Sequence, residues 1–173
     1  MMGFLVVAYS VIIGKHDTMK IIIGTYIAML TADGVGNLFA DYIFPRTDLF
    51  PIFQAVGQSI LIIGTKILFF VSCIVYLTLK ARFDVEVSDS ESHIASTFIS
   101  ILLGFLSALL IISTILVYAS GSSFVLQSLN MSESFMTFVY SQSYLVKILL
   151  DHSSIIFALP AIYFLLDSVF GKE

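Results

Sequence analysis

Five apolar runs, at about residues 1–13, 20–44, 54–80, 94–119 and 144–170, leave this chain few ways to fold. All but the first exceed the roughly 18 to 20 residues needed to cross a hydrocarbon core about 30 Å thick. Inside hydrocarbon the backbone must satisfy its own hydrogen bonds, which leaves helices or closed barrels. Strict apolar–polar alternation is absent, so the runs read as helices. The expectation is an all-α, polytopic membrane protein with four or five transmembrane segments. The first run is too short to span alone at about 1.5 Å per residue. It extends through "GKHDTM", lies at the interface or enters partway, and so separates four segments from five.

Composition agrees. Of 173 residues, 58% are hydrophobic and only 12% charged, against about a quarter charged in soluble domains. No soluble domain fits between the runs, so residues 1–173 read as a single membrane-embedded domain. A net charge of −4 without a basic stripe excludes nucleic acid as the expected partner. The one cysteine, Cys73, lies within an apolar run and offers neither a disulfide framework nor a multi-cysteine metal site. The N-terminus lacks a basic region ahead of its apolar run, which favours a retained segment over a cleaved signal.

The connections are "GKHDTMK", "DYIFPRTDLFP" with Pro45 and Pro51, "KARFDVEVSDSESH", and a serine-rich loop, residues 120–143. Within the last, "FVLQSLNMSESFMTFVY" has the Phe and Met content of a short helix lying along the bilayer, a disordered loop being the alternative. "NMS" at Asn130 matches a glycosylation acceptor, which matters only in a eukaryotic secretory pathway. Lys15, Lys20, Lys80, Arg82 and Lys172 gather on one side if five segments alternate, with Arg46 and Lys147 nearer the other. The positive-inside rule then puts the N-terminus and the serine-rich loop outside and the C-terminus in the cytoplasm. The chain has no Trp, so Tyr42, Tyr76, Tyr118, Tyr140 and Tyr144 near the segment ends are the expected interface anchors.

Two stripes run along the second segment. Gly24, Ala28, Ala32, Gly36 and Ala40 recur every four residues, which draws a line of small side chains along one helical face. Lipid tails are already apolar, so helices associate in membranes where small residues permit close packing. Ser96, Ser100, Gly104 and Ala108 repeat the pattern in the fourth segment. Both faces are expected to be buried, with packing against each other as one arrangement. Beside the first stripe lie Thr25, Met29, Asp33, Asn37 and Asp41, again four apart. A charge near the bilayer centre costs about 2.5 to 3.5 kcal/mol on insertion scales, so this face needs a partner within protein or water.

Lys66 is the candidate partner. Asp33 lies about 13 residues above Lys20, and Lys66 about 14 above Lys80, so both stand roughly 20 Å from that interface. Consecutive antiparallel helices are usually neighbours, which permits an ion pair. Asp33, Asn37, Asp41 and Lys66 therefore form a candidate intramembrane polar site, read either as part of an ion path or as a structural clamp. In the last segment, Lys147 and Asp151 stand at i, i+4 beside His152. The plain reading is local charge neutralisation; the sharper one makes Asp151 and His152 a pH-sensitive pair, since an unperturbed histidine titrates near about 6.5. Pro160 is the one proline inside a segment and the expected site of a kink.

No GxSxG, HExxH, Gly-rich phosphate loop or paired-cysteine motif is present. No catalytic residue, metal site or cofactor is expected. The order of features, from the short apolar N-terminus through "IIGKHDTMKIIIG" to "SILLGFLSALLIIS" and the tail "YSQSYLVKILLDHSSIIFAL", resembles the colicin V production protein family. That resemblance implies a bacterial inner-membrane protein associated with toxin export and envelope maintenance. The combined expectation is a non-enzymatic subunit or scaffold of an envelope or export assembly, with lipid and either other membrane subunits or a homo-oligomer as partners. The alternative is a small transporter or channel subunit built around Asp33 and Lys66.

Overall fold

A computed structural model of the chain describes residues 15–43, 58–80, 93–124 and 143–170. The first apolar run and the expected surface helix of the serine-rich loop lie outside the described residues. All regular structure among the described residues is helical: α1 (Lys15–Leu38) with a π-helical continuation over Phe39–Ile43, α2 (Gln58–Lys80), α3 (His93–Ala119), α4 (Tyr144–Asp151) and α5 (Ser153–Phe170). Three stretches, Asp17–Ile43, Ser59–Lys80 and Thr97–Ala119, are long and apolar enough to cross a bilayer, and α4 with α5 makes a fourth if the pair counts as one span. The protein is an integral membrane protein.

α1 starts inside the stretch expected to be a loop. Asp17 occupies its first turn, where a carboxylate complements the helix dipole, and pairs with Lys20 at 3.2 Å. Met19 and Ile22 are already fully buried, against Leu103 and Leu110 of α3. Their burial extends the helix through a polar segment that local composition assigned to a turn.

α1 is the central helix, packed against both α2 and α3, while α5 lies on α3. A second core joins Ala28 and Ala32 of α1, Phe70 of α2 and Tyr118 of α3. α2 sits at the edge and turns Leu68, Val71, Val75, Tyr76 and Leu79 outward. In a membrane those side chains meet lipid, so their exposure carries no hydrophobic penalty.

The run 144–170 is not one straight helix. It breaks at His152, where α4 and α5 meet at a bend of 59°. His152 (φ −106°, ψ 16°) ends α4 by donating its N–H to the Ile148 carbonyl, and its own carbonyl accepts from Ile155 and Ile156 to begin α5. Two serines follow it, residue types that favour helix starts over helix interiors. α5 then runs through Pro160 without ending. Proline removes the N–H that would reach the Ile156 carbonyl, but Pro160 faces the core, and in the same turn the Tyr26 hydroxyl of α1 donates to the Phe157 carbonyl. A neighbouring side chain thus braces the turn next to the proline, and the bend falls eight residues earlier than the proline suggests.

Candidate functional site

The small-residue stripe of α1 is where α2 comes close. Gly24 faces Leu77, whose Cβ stands 3.6 Å from where a glycine Cβ would be built, and Gly36 faces Lys66. Residue numbers rise along one helix as they fall along the other, the register of an antiparallel pair. Gly24, Ala28, Ala32 and Gly36 are buried, and Ala40 is half-buried. The second stripe is also buried at Ser100, Gly104 and Ala108, while the Ser96 side chain lies outside the described residues. The first stripe thus serves α2, rather than being reserved for the second.

That register brings Asp33 and Lys66 together. Lys66 Nζ donates to Asp33 Oδ1 at 2.6 Å, with the aspartate 0% and the lysine 3% exposed. The other carboxylate oxygen, Oδ2, accepts from Ser123 Oγ at 2.8 Å. Asn37 Nδ2 donates to the same Ser123 oxygen at 3.3 Å, so α1 reaches that hydroxyl twice, one turn apart. The Lys66 ammonium also stands 5.8 Å from the centroid of the Tyr118 ring, within cation–π range. The Tyr118 hydroxyl is tied to the Met29 carbonyl at 2.6 Å, which fixes the ring on α1.

Ser123 is delivered by the end of α3. The helix closes with Gly121 N–H on the Tyr118 carbonyl and Ser122 N–H on the Val117 carbonyl, the paired bonds of a Schellman motif. Gly121 takes φ 84°, the left-handed conformation that this motif places on glycine. The reversal sends Ser123 back toward α1 and sets Phe124 edge-on between Tyr118 at 5.7 Å and Phe157 at 4.8 Å. A polar contact and an aromatic chain therefore anchor the same turn.

The electrostatics are those of a closed pair. Two opposite unit charges share one buried site, and both carboxylate oxygens carry hydrogen bonds. Such a pair is costly to bury, but far costlier to leave half-made, because the remaining charge has no water to fall back on. Asp41 does not belong to it: the residue is exposed on the π-helical turn. Widening the helix there rotates Asp41 off the line that joins Asp33 to Asn37 at four-residue steps. Thr25, lower on the stripe, bonds to its own helix through the Ile21 carbonyl at 2.7 Å.

Asp151 and His152 are exposed at the α4–α5 junction, where His152 Nδ1 lies 3.2 Å from the Ile148 carbonyl. Both stand on the lipid or solvent side, away from the buried pair. Among the described residues no group of three His, Cys, Asp or Glu side chains could hold a metal ion.

Ser123 was not singled out from the sequence, and Tyr118, expected as an anchor at the bilayer interface, is instead fully buried in the core with Ala28, Ala32 and Phe70. The Ser-Gly-Ser-Ser after an apolar run does signal a glycine-terminated helix. That its last serine returns to Asp33 is a tertiary fact with no local signature. Compared with protein-family models, curated proteins and solved structures, the chain matches none.

Proposed function

We propose that this protein is a non-enzymatic subunit or scaffold of a membrane assembly, with Asp33 and Lys66 acting as the clamp that holds its helical core. One observation carries the reading: the Asp33 carboxylate is engaged at both oxygens, by Lys66 and Ser123, and fully buried. A group that loads and releases an ion must exchange partners, whereas this one is bonded on both sides by the protein itself. The colicin V production protein-like order of features supports an envelope or export assembly of a bacterial inner membrane. Basic residues near the segment ends support an outside N-terminus and a cytoplasmic C-terminus.

The test compares the purified protein with Asp33→Asn in liposomes at equal insertion, reading ion flux and thermal stability together. A clamp gives no flux above protein-free liposomes and a less stable variant. Flux in the wild type that disappears in a stably folded Asp33→Asn variant would overturn it. That outcome would favour the second reading, a small transporter or channel subunit. The broken helix at His152 supports this alternative, because discontinuous helices recur at transport sites.

A further inference from the structure

The two pieces of the last apolar run are surrounded differently. α5 lies along the core, with Phe157, Tyr163 and Phe164 against the cluster of Met19, Ile22, Leu103 and Leu110. α4 turns away by 59° and rests on the last turn of α3, Leu150 and Val146 packing around Val117. Beyond the exposed Tyr144 at its start, the remaining surface of α4 carries two strips. Leu145 (71% exposed) and Ile148 (36%) form an uncovered apolar strip. Lys147 and Asp151, one turn apart and both exposed, form a charged one.

Each simple environment fails one strip. A helix crossing hydrocarbon would carry Lys147 and Asp151 through lipid, and a helix in water would leave Leu145 and Ile148 wet. A helix lying in the membrane interface satisfies both, with its apolar strip among acyl chains and its charged strip among headgroups. The depth agrees. Ser123, just beyond the turn on which α4 rests, contacts Asp33. Asp33 is about 13 residues, or roughly 20 Å, above Lys20, which leaves about 10 Å of a hydrocarbon core about 30 Å thick. Interfacial helices settle about 5 to 10 Å into that boundary.

We propose that α4 is an interfacial helix, seated in the headgroup–acyl boundary of the membrane face opposite Lys20 and Lys80, and that phospholipid occupies its uncovered strip. α5 alone then continues into the bilayer, and the bend at His152 is the corner between surface and span. The inference needs only the membrane location and not the scaffold role.

Cysteine labelling in proteoliposomes tests it. Cys73, the single cysteine, is first replaced by serine, and one cysteine is then placed at Leu145, Lys147, Ile148 or Asp151. A membrane-impermeant maleimide should label Lys147→Cys and Asp151→Cys about tenfold faster than Leu145→Cys and Ile148→Cys, following the strips. A steady fall in rate from residue 145 to 151 would overturn the proposal in favour of a span. Uniformly fast or uniformly slow labelling would overturn it too, placing α4 in water or under protein. Ile148→Trp gives an independent readout, because the chain has no other Trp. Lipids brominated near the headgroup should quench its fluorescence more than lipids brominated near the chain ends, and the reverse order or no quenching would refute the placement.

Discussion

The stem of Lys66 fills the space that a side chain at Gly36 would need. A Cβ built at Gly36 would stand 2.3 Å from Lys66 Cγ, 2.8 Å from Cε and 3.1 Å from Cδ. The glycine is therefore a seat for the lysine, and the ion pair depends on a residue that carries no charge.

Gly36→Ala should thus destabilise the fold by about 1 to 3 kcal/mol, the usual range for overpacking. Three carbons of the stem are blocked at once, so the ammonium must leave its place on Asp33. Gly34 and Gly64 provide the control, since a Cβ at either meets nothing within 4 Å. Gly34→Ala or Gly64→Ala should gain up to about 1 kcal/mol through helix propensity. Thermal unfolding of the three variants in one detergent decides between a seat and a merely flexible spot.

Removing either charge alone should cost about 3 to 5 kcal/mol, because the other is left buried without its partner. Asp33→Ala and Lys66→Ala should be strongly non-additive, the double variant being much less destabilised than the sum of the singles. Chemical denaturation of all four proteins closes the cycle. Additive losses would mean that the two side chains do not act as a pair.

Ser123→Ala removes a hydrogen bond to a buried carboxylate and should cost about 1.5 to 3 kcal/mol. Gly121→Ala forces a side chain into the left-handed region and should cost about 1 to 2 kcal/mol without touching any charge. If the Schellman turn exists to deliver Ser123, the two changes combined should lose less than their sum. Unfolding midpoints report this directly.

Tyr26→Phe should cost about 0.5 to 1.5 kcal/mol in the wild type. In a Pro160→Ala background the turn no longer accommodates the ring, the Ala161 amide alone can serve the Phe157 carbonyl, and the same change should cost much less. Thermal unfolding of the four proteins in one detergent gives the readout.

Architecture was legible because membrane helices announce themselves by length and apolarity; α3 spans His93–Ala119 against an expected run of 94–119. Asp33 and Lys66 were legible because depth along a helix can be counted from charged markers at its ends. What stayed hidden depends on shape. Gly36 reads as one more member of a packing stripe until the lysine is seen lying across it. Asp41 continues a four-residue repeat that a single π-helical turn cancels. Pro160 invites a kink that Tyr26 absorbs, while His152, flanked by ordinary charged and hydroxyl residues, receives the bend. In each case a residue distant in sequence, or a local change in helical pitch, overrides a sound local rule.

The spacing of the clamp also bears on biosynthesis. Asp33 and Lys66 are 33 residues apart, within one helical hairpin, whereas Ser123 lies 90 residues beyond Asp33. The two charges leave the ribosome close together, so the first hairpin can enter lipid as an already neutral unit, sparing each partner the roughly 2.5 to 3.5 kcal/mol cost of inserting alone. The third helix then arrives at a pair already made, and its serine seals the carboxylate last.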